Sequence, residues 1–236
     1  MTKIVLTNDD GIEEPGIRAL HGACLEFATP IVVAPDSAYS GVGHAVTTRA
    51  PILVKTHAPS WYSVRGTPAD CSRLSATRLA PDAEWLLAGI NQGANLGVDV
   101  FTSGTVAAAR EATFLGIRAI ALSQYTRAGM ALNWEWTAAQ VNRVLRYLME
   151  RPPEPGSFYN VNLPHLPPDA PAPELVECSV DSKPFDVRFR HEPTEDSHDD
   201  WMAHYEGVYA ERPRTEGRDV DVCFSGRIAI SLIRLD

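Results

Sequence analysis

Two adjacent carboxylates near the N-terminus are the residues whose types and spacing most clearly suggest chemistry. Asp9 and Asp10 follow Asn8, directly after a short apolar run at residues 4–6. Neighbouring carboxylates at the end of a strand repel each other unless a cation lies between them. Mg²⁺ and Mn²⁺ prefer such oxygen ligands. The pattern is consistent with a metal site and also with a solvated turn, because Asn, Asp and Gly are common turn residues.

A second polar loop follows the apolar run at residues 31–34. It contains Ser40, Gly41, Gly43 and His44 among other small residues. Glycines allow backbone N–H groups to approach an anion closely, so this loop is a candidate phosphate contact. His44 is the histidine that lies in a candidate site loop. A flexible connection without a ligand would have the same composition.

Two more polar stretches come later in the chain. Asn91 and Asn95 lie among three glycines after the apolar run at 85–90, and amide oxygens can join carboxylates on a metal. Ser103, Gly104 and Thr105 precede a helical pattern. A hydroxyl residue at a helix start is first of all an N-cap, and the same geometry can bind an anion.

The elements that must position these residues alternate between strand and helix. The apolar runs at 4–6, 31–34, 85–90 and 117–122 read as buried strands, with helices predicted at 106–115 and 134–149. This alternation predicts an α/β fold: a Rossmann-like, mostly parallel sheet with helices on both faces. In such sheets ligands bind at the carboxyl ends of the strands, where all the polar loops lie.

The composition changes after residue 150. Residues 1–150 are predicted to form the metal- and phosphate-binding core, and residues 151–236 to complete the same domain. Eight of the 18 prolines fall in 151–173, around a short strand at 158–162. Residues 181–221 are polar and read as an extended β arm that projects from the core, before a strand at 227–235 returns to it.

The net charge and the cysteines indicate which partners and which cellular compartment to expect. The net charge of −9 argues against a nucleic-acid backbone, which needs clustered Lys and Arg. The four cysteines show no zinc-ligand spacing, and no apolar stretch approaches the ~20 residues of a membrane span. The N-terminus lacks a signal-peptide layout. We therefore expect a cytoplasmic protein with reduced cysteines, which binds neither nucleic acid nor membrane.

Taken in order, the motifs resemble those of the SurE family of nucleotidases. They are Asn8-Asp9-Asp10-Gly11, Ser40-Gly41-x-Gly43-His44, Gly66-Thr67-Pro68-x-Asp70-Cys71, Gly89-Ile90-Asn91-x-Gly93-x-Asn95, Ser103-Gly104-Thr105-Val106 and Asn160-Val161-Asn162. Each motif alone is weak, whereas the ordered set is specific. The sequence departs from the usual family pattern at Ser225-Gly226-Arg227, before its final strand.

The resemblance implies one divalent metal ion per subunit, Mg²⁺ or Mn²⁺, and a homodimer or homotetramer. By position, the metal ligands would be Asp9, Asp10, Ser40 and Asn91. Asn95 and the turn at 103–105 would hold the phosphate of a nucleoside 5′-monophosphate. Hydrolysis of 3′-monophosphates and polyphosphate would be further activities.

Residues beside these ligands complete the predicted site. Asn8, Gly41, Gly43 and His44 are candidate substrate contacts. Either Asp9 or Asp10 would be catalytic, by accepting a proton from a metal-bound water or by forming a phosphoaspartate. Two non-catalytic alternatives stay open, a phospho-acceptor receiver module and a nucleotide-binding protein without turnover.

Overall fold

A mixed sheet of nine strands runs through the described residues, which are 2–167, 169–184, 187–194 and 200–235 of the computed structural model. Its strands are β1 (Thr2–Thr7), β2 (Ala28–Pro35), β3 (Val54–Ala58), β4 (Trp61–Val64), β5 (Trp85–Gln92), β6 (Arg118–Gln124), β7 (Ser157–Leu163), β8 (Leu175–Glu177) and β11 (Ile228–Arg234). They are arranged in the order β3-β4-β2-β1-β5-β6-β7-β11-β8. The six strands from β4 to β7 in this order are parallel, whereas β3 and β11 run antiparallel to β4 and β7.

Helices cover both faces of the sheet. They are α1 (Pro15–Cys24), α2 (Pro68–Leu74), α3 (Gly104–Phe114), α4 (Trp134–Met149) and α5 (Asp219–Phe224). Helices α1 and α4 pack on one face, and α2 and α3 on the other. The predicted Rossmann-like architecture is confirmed.

The alternating faces of β1 explain this arrangement. Ile4 and Leu6 pack into the cluster formed with α1 and α4, whereas Val5 packs into the cluster on the α2–α3 face. All three side chains are fully buried, as expected for a strand in a parallel sheet covered on both sides. The chain leaves β1 toward β2 on one side and returns to β5 on the other. Strand order therefore reverses at β1, and the crevice for a ligand opens at its carboxyl end.

The predicted β arm is present, but its projecting part is shorter than residues 181–221. The strands β9 (Phe189–Pro193) and β10 (Trp201–Tyr205) form an antiparallel hairpin that is separate from the main sheet. Residues from Tyr209 onward return to the body, and α5 begins at Asp219. The predicted extended conformation is therefore wrong for residues 219–221, which form the first turn of α5. Phe185 and His198, which belong to the predicted arm, lie outside the described residues.

Several smaller elements escaped the sequence patterns. The edge strand β3, its neighbour β4 and the three-residue β8 are short, and β3 is almost entirely exposed. Neither an apolar run nor a strict alternation therefore marks them. In the part of the chain that the structure describes, no helix combines the length and apolar character needed to cross a bilayer.

Helix α1 approaches the sheet so closely that it has no room for a side chain at Gly16. A Cβ there would lie 2.1 Å from the carbonyl oxygen of Ile90, in the strand that leads to Asn91. We expect Gly16→Ala to lower the free energy of unfolding by about 2 kcal/mol, because either the helix or the strand must shift. The measurement is urea denaturation followed by circular dichroism.

Gly22 provides the matched control within the same helix. A Cβ at this position meets nothing within 4 Å, so Gly22→Ala should raise the free energy of unfolding by roughly 0.5 kcal/mol through helix propensity. Equal effects of the two substitutions would contradict the close packing inferred at Gly16.

Candidate active site

Asp9 and Asp10 emerge at the carboxyl end of β1, at the point where strand order reverses. Asp9 is only 5% exposed, and its carboxylate accepts a hydrogen bond from the Thr105 hydroxyl at the start of α3. Asp10 is half-buried and accepts a hydrogen bond of 3.2 Å from the backbone N–H of Gln92, just after Asn91. The two carboxylates therefore connect the ends of β1 and β5 with the first turn of α3.

Burial makes both carboxyl groups reluctant to ionise. Burial raises the pKa of Asp9, an effect that the hydrogen bonds from Thr105 oppose in part. Burial and then the charge of neighbouring Asp9 raise the pKa of Asp10 to about 6. Such a pair is a natural cation site, because a divalent ion would relieve the repulsion and replace the lost hydration.

The loop that carries Ser40 lies against the end of β1. The backbone N–H of Tyr39 donates to the carbonyl oxygen of Asp9 at 2.8 Å, which places exposed Ser40 one residue from this contact. A Cβ on Gly43 would lie 3.9 Å from the carbonyl oxygen of Thr102. The loop thus extends from Asp9 toward the residues that precede α3.

The end of this loop is anchored by the capping box of α2. The Thr67 hydroxyl caps the N–H of Asp70 and donates to the carbonyl oxygen of Ala45 at 2.7 Å. Buried Asp70 accepts from the backbone and the hydroxyl of Thr47 at 2.8 and 2.7 Å. Thr67, Pro68 and Asp70 are residue types that favour a helix start, but nothing in the sequence indicates that the cap also binds residues 45–47.

Asn91 and Asn95 are oriented by different neighbours. The Asn91 carboxamide nitrogen donates to the carbonyl oxygen of Gly93 at 2.7 Å. This bond does not involve the side-chain oxygen of Asn91, which is the atom that a hard cation would bind. Asn95 is buried, and its side-chain nitrogen donates to the Ser123 hydroxyl at 2.8 Å. The backbone of Asn95 bonds to the side chains of Asn160 and Asn162. These two residues are two positions apart on β7 and therefore face the same side.

The first turn of α3 lies directly against Asp9. Ser103 is the N-cap, and its hydroxyl accepts from the N–H of Val106 at 3.1 Å. A Cβ on Gly104 would lie 2.8 Å from a carboxylate oxygen of Asp9, so only glycine fits between helix and carboxylate. The first N–H groups of a helix lack carbonyl partners and attract negative charge. This turn can bind an anion beside the carboxylate pair.

His44 is placed away from this turn. Its Nε2 lies 2.7 Å from Glu111, which also accepts from Arg73 at 2.5 Å, and its ring stacks on Phe114. Glu111 is seven residues beyond Gly104, or roughly 10 Å along the helix. The contact attaches the Ser40 loop to α3, and a direct substrate contact by His44 stays a prediction.

Asn8 has a local role in the structure. It is fully buried, and its carboxamide nitrogen donates to the carbonyl oxygen of Gly11 at 2.8 Å while its oxygen accepts from the N–H of Gly11 at 3.3 Å. Both ends of the side chain are therefore occupied within the turn that carries Asp9 and Asp10. Its predicted substrate contact stays a prediction.

Two buried aspartates that the sequence analysis did not single out support the loop after β5. Asp219 accepts from the backbone N–H groups of Gly97 and Asp181, both at 2.8 Å. Asp181 in turn accepts from the backbone of Thr215 and Lys183. Their scattered positions in a polar stretch gave no signal, since only the fold brings them together.

The site's donor set is two carboxylates with hydroxyl and amide oxygens. Among the described residues, no group of three or more His, Cys, Asp and Glu side chains could hold a metal. A pair of aspartates completed by Ser40 and Asn91 contains only oxygen donors, which suits a hard cation and not zinc.

Comparison with known proteins identifies relatives of this chain over nearly its whole length. Residues 4–181 match the sequence model of the family described as survival protein SurE. A protein of Nostoc sp. with the provisional name of a 5′-nucleotidase is 48% identical over 98% of this chain and 99% of its own length. The 5′-nucleotidase SurE of Geobacter sulfurreducens is 37% identical, over 99% of this chain and 88% of its own. The crystal structure of the SurE protein from Aquifex aeolicus superposes with a TM-score of 0.87 at 29% identity, covering 99% of this chain and 94% of the other.

The raised pKa of Asp10 predicts how pH affects stability when no metal is bound. Its pKa in the folded state, about 6, exceeds the ordinary 3.8, so the folded state favours the protonated form. With respect to this group, stability is therefore highest below pH 3.8, falls as pH rises toward 6 and is nearly constant above that. We expect Asp10→Asn to stabilise the chelator-treated protein by roughly 1–2 kcal/mol at pH 8, by about half as much at pH 5 and by little below about pH 3.5.

Urea denaturation of both proteins across this pH range, in excess chelator, measures the difference. Asp82→Asn is the control, because Asp82 is exposed and far along the chain from Asp10. A stabilisation by Asp10→Asn that does not grow with pH would contradict the raised pKa that burial and the charge of Asp9 give to Asp10.

Proposed function

Since the chain belongs to the SurE family, we propose that it is a 5′-nucleotidase that hydrolyses nucleoside 5′-monophosphates to nucleoside and phosphate. The observation that carries the proposal is the contact between the Asp9–Asp10 pair and the first turn of α3. This contact puts a site suited to a cation beside a site suited to an anion. Both are needed to hold a phosphate monoester while its P–O bond breaks.

We further propose that Asp9, Asp10, Ser40 and Asn91 hold one Mg²⁺ or Mn²⁺ ion. Hydrogen bonds place Tyr39 on Asp9 and Gln92 on Asp10, so the residues adjacent to Ser40 and Asn91 already contact the pair. When bound, the ion would act as a Lewis acid toward a phosphoryl oxygen and an attacking water.

The remaining groups of the site bind and orient the substrate in this proposal. The N–H groups of Gly104 and Thr105 and the side chain of Asn95 would contact the phosphate oxygens. Asp9 is held in place by the Thr105 hydroxyl, which favours a fixed ligand. Asp10 is more exposed and is the better acceptor for a proton from the attacking water. An attack by Asp10 itself would give the phosphoaspartate alternative.

Repeated release of phosphate distinguishes a nucleotidase from the two non-catalytic alternatives, a receiver module and a nucleotide-binding protein. A receiver module would take up phosphate once, and a nucleotide-binding protein would release none. The same site could accept 3′-monophosphates or polyphosphate, since the contacts proposed so far engage only the phosphate. A panel of these substrates with several divalent metals, followed by phosphate release, tests the assignment.

The first prediction here concerns the metal. We expect phosphate release from AMP to stop in excess chelator and to return with Mg²⁺ or Mn²⁺. Asp9→Asn and Asp10→Asn should each lower kcat at least ~100-fold, because each removes a charged ligand while its size is kept. Steady-state kinetics at saturating metal measures this.

Asp82 is an exposed aspartate outside the site. The Asp82→Asn variant should keep the activity of the wild type and serves as the control. Near-normal kcat in either site variant would exclude that residue as a ligand, and full activity in chelator would exclude the metal altogether.

We also propose that the β9–β10 hairpin joins two subunits in a homodimer or homotetramer. Its aromatic side chains are ordered into pairs yet remain exposed: His191 stacks on Trp201 with ring centroids 4.2 Å apart, and Phe189 meets Tyr205 edge to face at 5.6 Å. Exposed aromatic residues on an element that touches little else are typical of an interaction surface. Pairing or exchange of such an arm between identical chains is an economical route to an oligomer.

The corresponding prediction uses the double substitution Trp201→Ser and Tyr205→Ser. We expect the wild type to be a dimer or tetramer at micromolar concentration, and the variant to dissociate at least tenfold more readily because it loses apolar contact area. Size exclusion with light scattering measures it. Leu25→Ser, which changes an equally exposed apolar residue on the body, is the control. A monomeric wild type, or an unchanged oligomer in the variant, would refute the role of the hairpin.

A further inference from the structure

A cavity of about 490 Å³ lies between the segment that follows β6, residues 208–214 and the end of α5. Its walls include Tyr125, Tyr209 and Phe224, together with Arg127 and Arg214. We call it the aromatic cavity. Its volume is within the usual range for a small-molecule site, and aromatic walls with a few polar groups are typical of such sites.

The aromatic cavity is adjacent to the proposed phosphate site. Tyr125 immediately follows β6, and the Tyr209 hydroxyl donates to the carbonyl oxygen of Ala94 at 3.1 Å, one residue before Asn95. Strands β1, β5 and β6 are consecutive neighbours in the sheet, so β6 lies two strand spacings, or about 10 Å, to the side of β1. Tyr125 is four residues beyond Ala121, which the register aligns through Ala88 with Thr7. The aromatic cavity therefore lies at the same edge of the sheet as the loop that carries Asp9 and Asp10.

The wall formed by Tyr209 is held rigidly before any ligand arrives. Its hydroxyl also contacts Asp99 at 2.8 Å, and the guanidinium of Arg212 lies 4.5 Å from its ring centroid. Arg212 binds the same Asp99 at 2.5 and 3.2 Å and is only 6% exposed. An aromatic ring fixed in this way loses little entropy when another ring stacks on it.

The other aromatic residues extend the same surface. Tyr125 and Phe224 are stacked with centroids 4.7 Å apart, and Tyr209 lies 6.2 Å from each of them. Tyr209 is 38% exposed, and the side chain of Arg214, whose Nε lies 3.8 Å from Asp221, is 51% exposed, so solvent reaches both a ring and a cation of the wall. Nucleobases stack on aromatic rings and on guanidinium planes, and their ring nitrogens and carbonyls accept hydrogen bonds from arginine.

We propose that the aromatic cavity is the subsite for the base of the nucleotide, and that Tyr209 and Arg214 give the enzyme its preference for nucleotides over sugar phosphates without a base. The inference rests on the proposed nucleotidase function and extends it from the phosphate to the other end of the substrate. A purine presents the larger stacking face and is the base that best fits these walls.

The test compares AMP with ribose 5-phosphate, which has the same phosphate and sugar but no base. We expect Tyr209→Leu to lower the ratio of kcat/KM for AMP to that for ribose 5-phosphate about tenfold, the scale of a lost stacking contact. Tyr209→Phe keeps the ring and should retain most of the ratio. Tyr147→Leu, the same change on α4 outside the cavity, should leave the ratio as it is in the wild type.

Arg214→Gln tests the cavity independently, in case Tyr209→Leu does not fold. It should lower the same ratio at least threefold, because the half-exposed side chain loses a contact with the base. An unchanged ratio in Tyr209→Leu or, where that variant does not fold, in Arg214→Gln would overturn the proposal. So would a Tyr209→Leu variant whose only change is in oligomeric state, since the cavity would then hold part of a second copy.

Binding of adenosine, which lacks phosphate, separates this inference from the proposed reaction. By calorimetry, adenosine should bind the wild type and bind Tyr209→Leu about tenfold more weakly. If the wild type releases phosphate from neither AMP nor ribose 5-phosphate, the nucleotidase proposal fails, while this measurement still decides the cavity. Equal affinity of both proteins for adenosine, or no binding to the wild type, would overturn the base subsite.

Discussion

The structure depends on one close contact, between the carboxylate of Asp9 and the first turn of α3. Burying a carboxylate in a parallel sheet is costly unless donors or a cation compensate for the lost water. Here the Thr105 hydroxyl and the start of the helix supply part of that compensation, and Gly104 keeps the distance short. The alanines at 107, 108, 109 and 112 on α3 are fully buried and small, which lets the helix lie close to the sheet. The sheet, the helix and the site therefore have to form together.

Around this contact, the loops of Ser40 and Asn95 are each held by hydrogen bonds at both of their ends. The Ser40 loop is tied to Asp9 at one end and to the α2 capping box at the other. The loop of Asn95 rests on Asn160 and Asn162, and its far end on Asp219. Loops held at both ends keep their donors in place without a ligand, and such preorganisation is what phosphoryl chemistry requires of a protein.

The sequence predicted the parallel core well, because its strands are short apolar runs and its helices have a clear period. It also identified which loops meet at the carboxyl edge, since that follows from strand direction alone. It could not show that His44 bonds to Glu111 or that Thr67 binds Ala45, because both contacts join residues more than twenty positions apart. The aromatic cavity was also invisible, since Tyr125, Tyr209 and Phe224 come from three separate segments. The edge strand β3 is too exposed to show an apolar pattern, and its neighbour β4 has only four residues.

The paired aspartates at the base of the hairpin have a consequence for how the chain tolerates changes in length. The excursion leaves the body at Asp181 and returns at Asp219, and these two residues are joined by a hydrogen bond of 2.8 Å. The excursion is thus a loop closed at its neck, and the cost of closing such a loop grows only with the logarithm of its length, by about 0.6 kcal/mol for each doubling. The neck also holds Gly97, and Tyr209 bonds to Ala94 on the returning segment, so insertions confined to the β9–β10 hairpin leave both of these contacts in place. Within this architecture the hairpin is free to diverge in length and sequence while the contacts at the end of β1 stay the same.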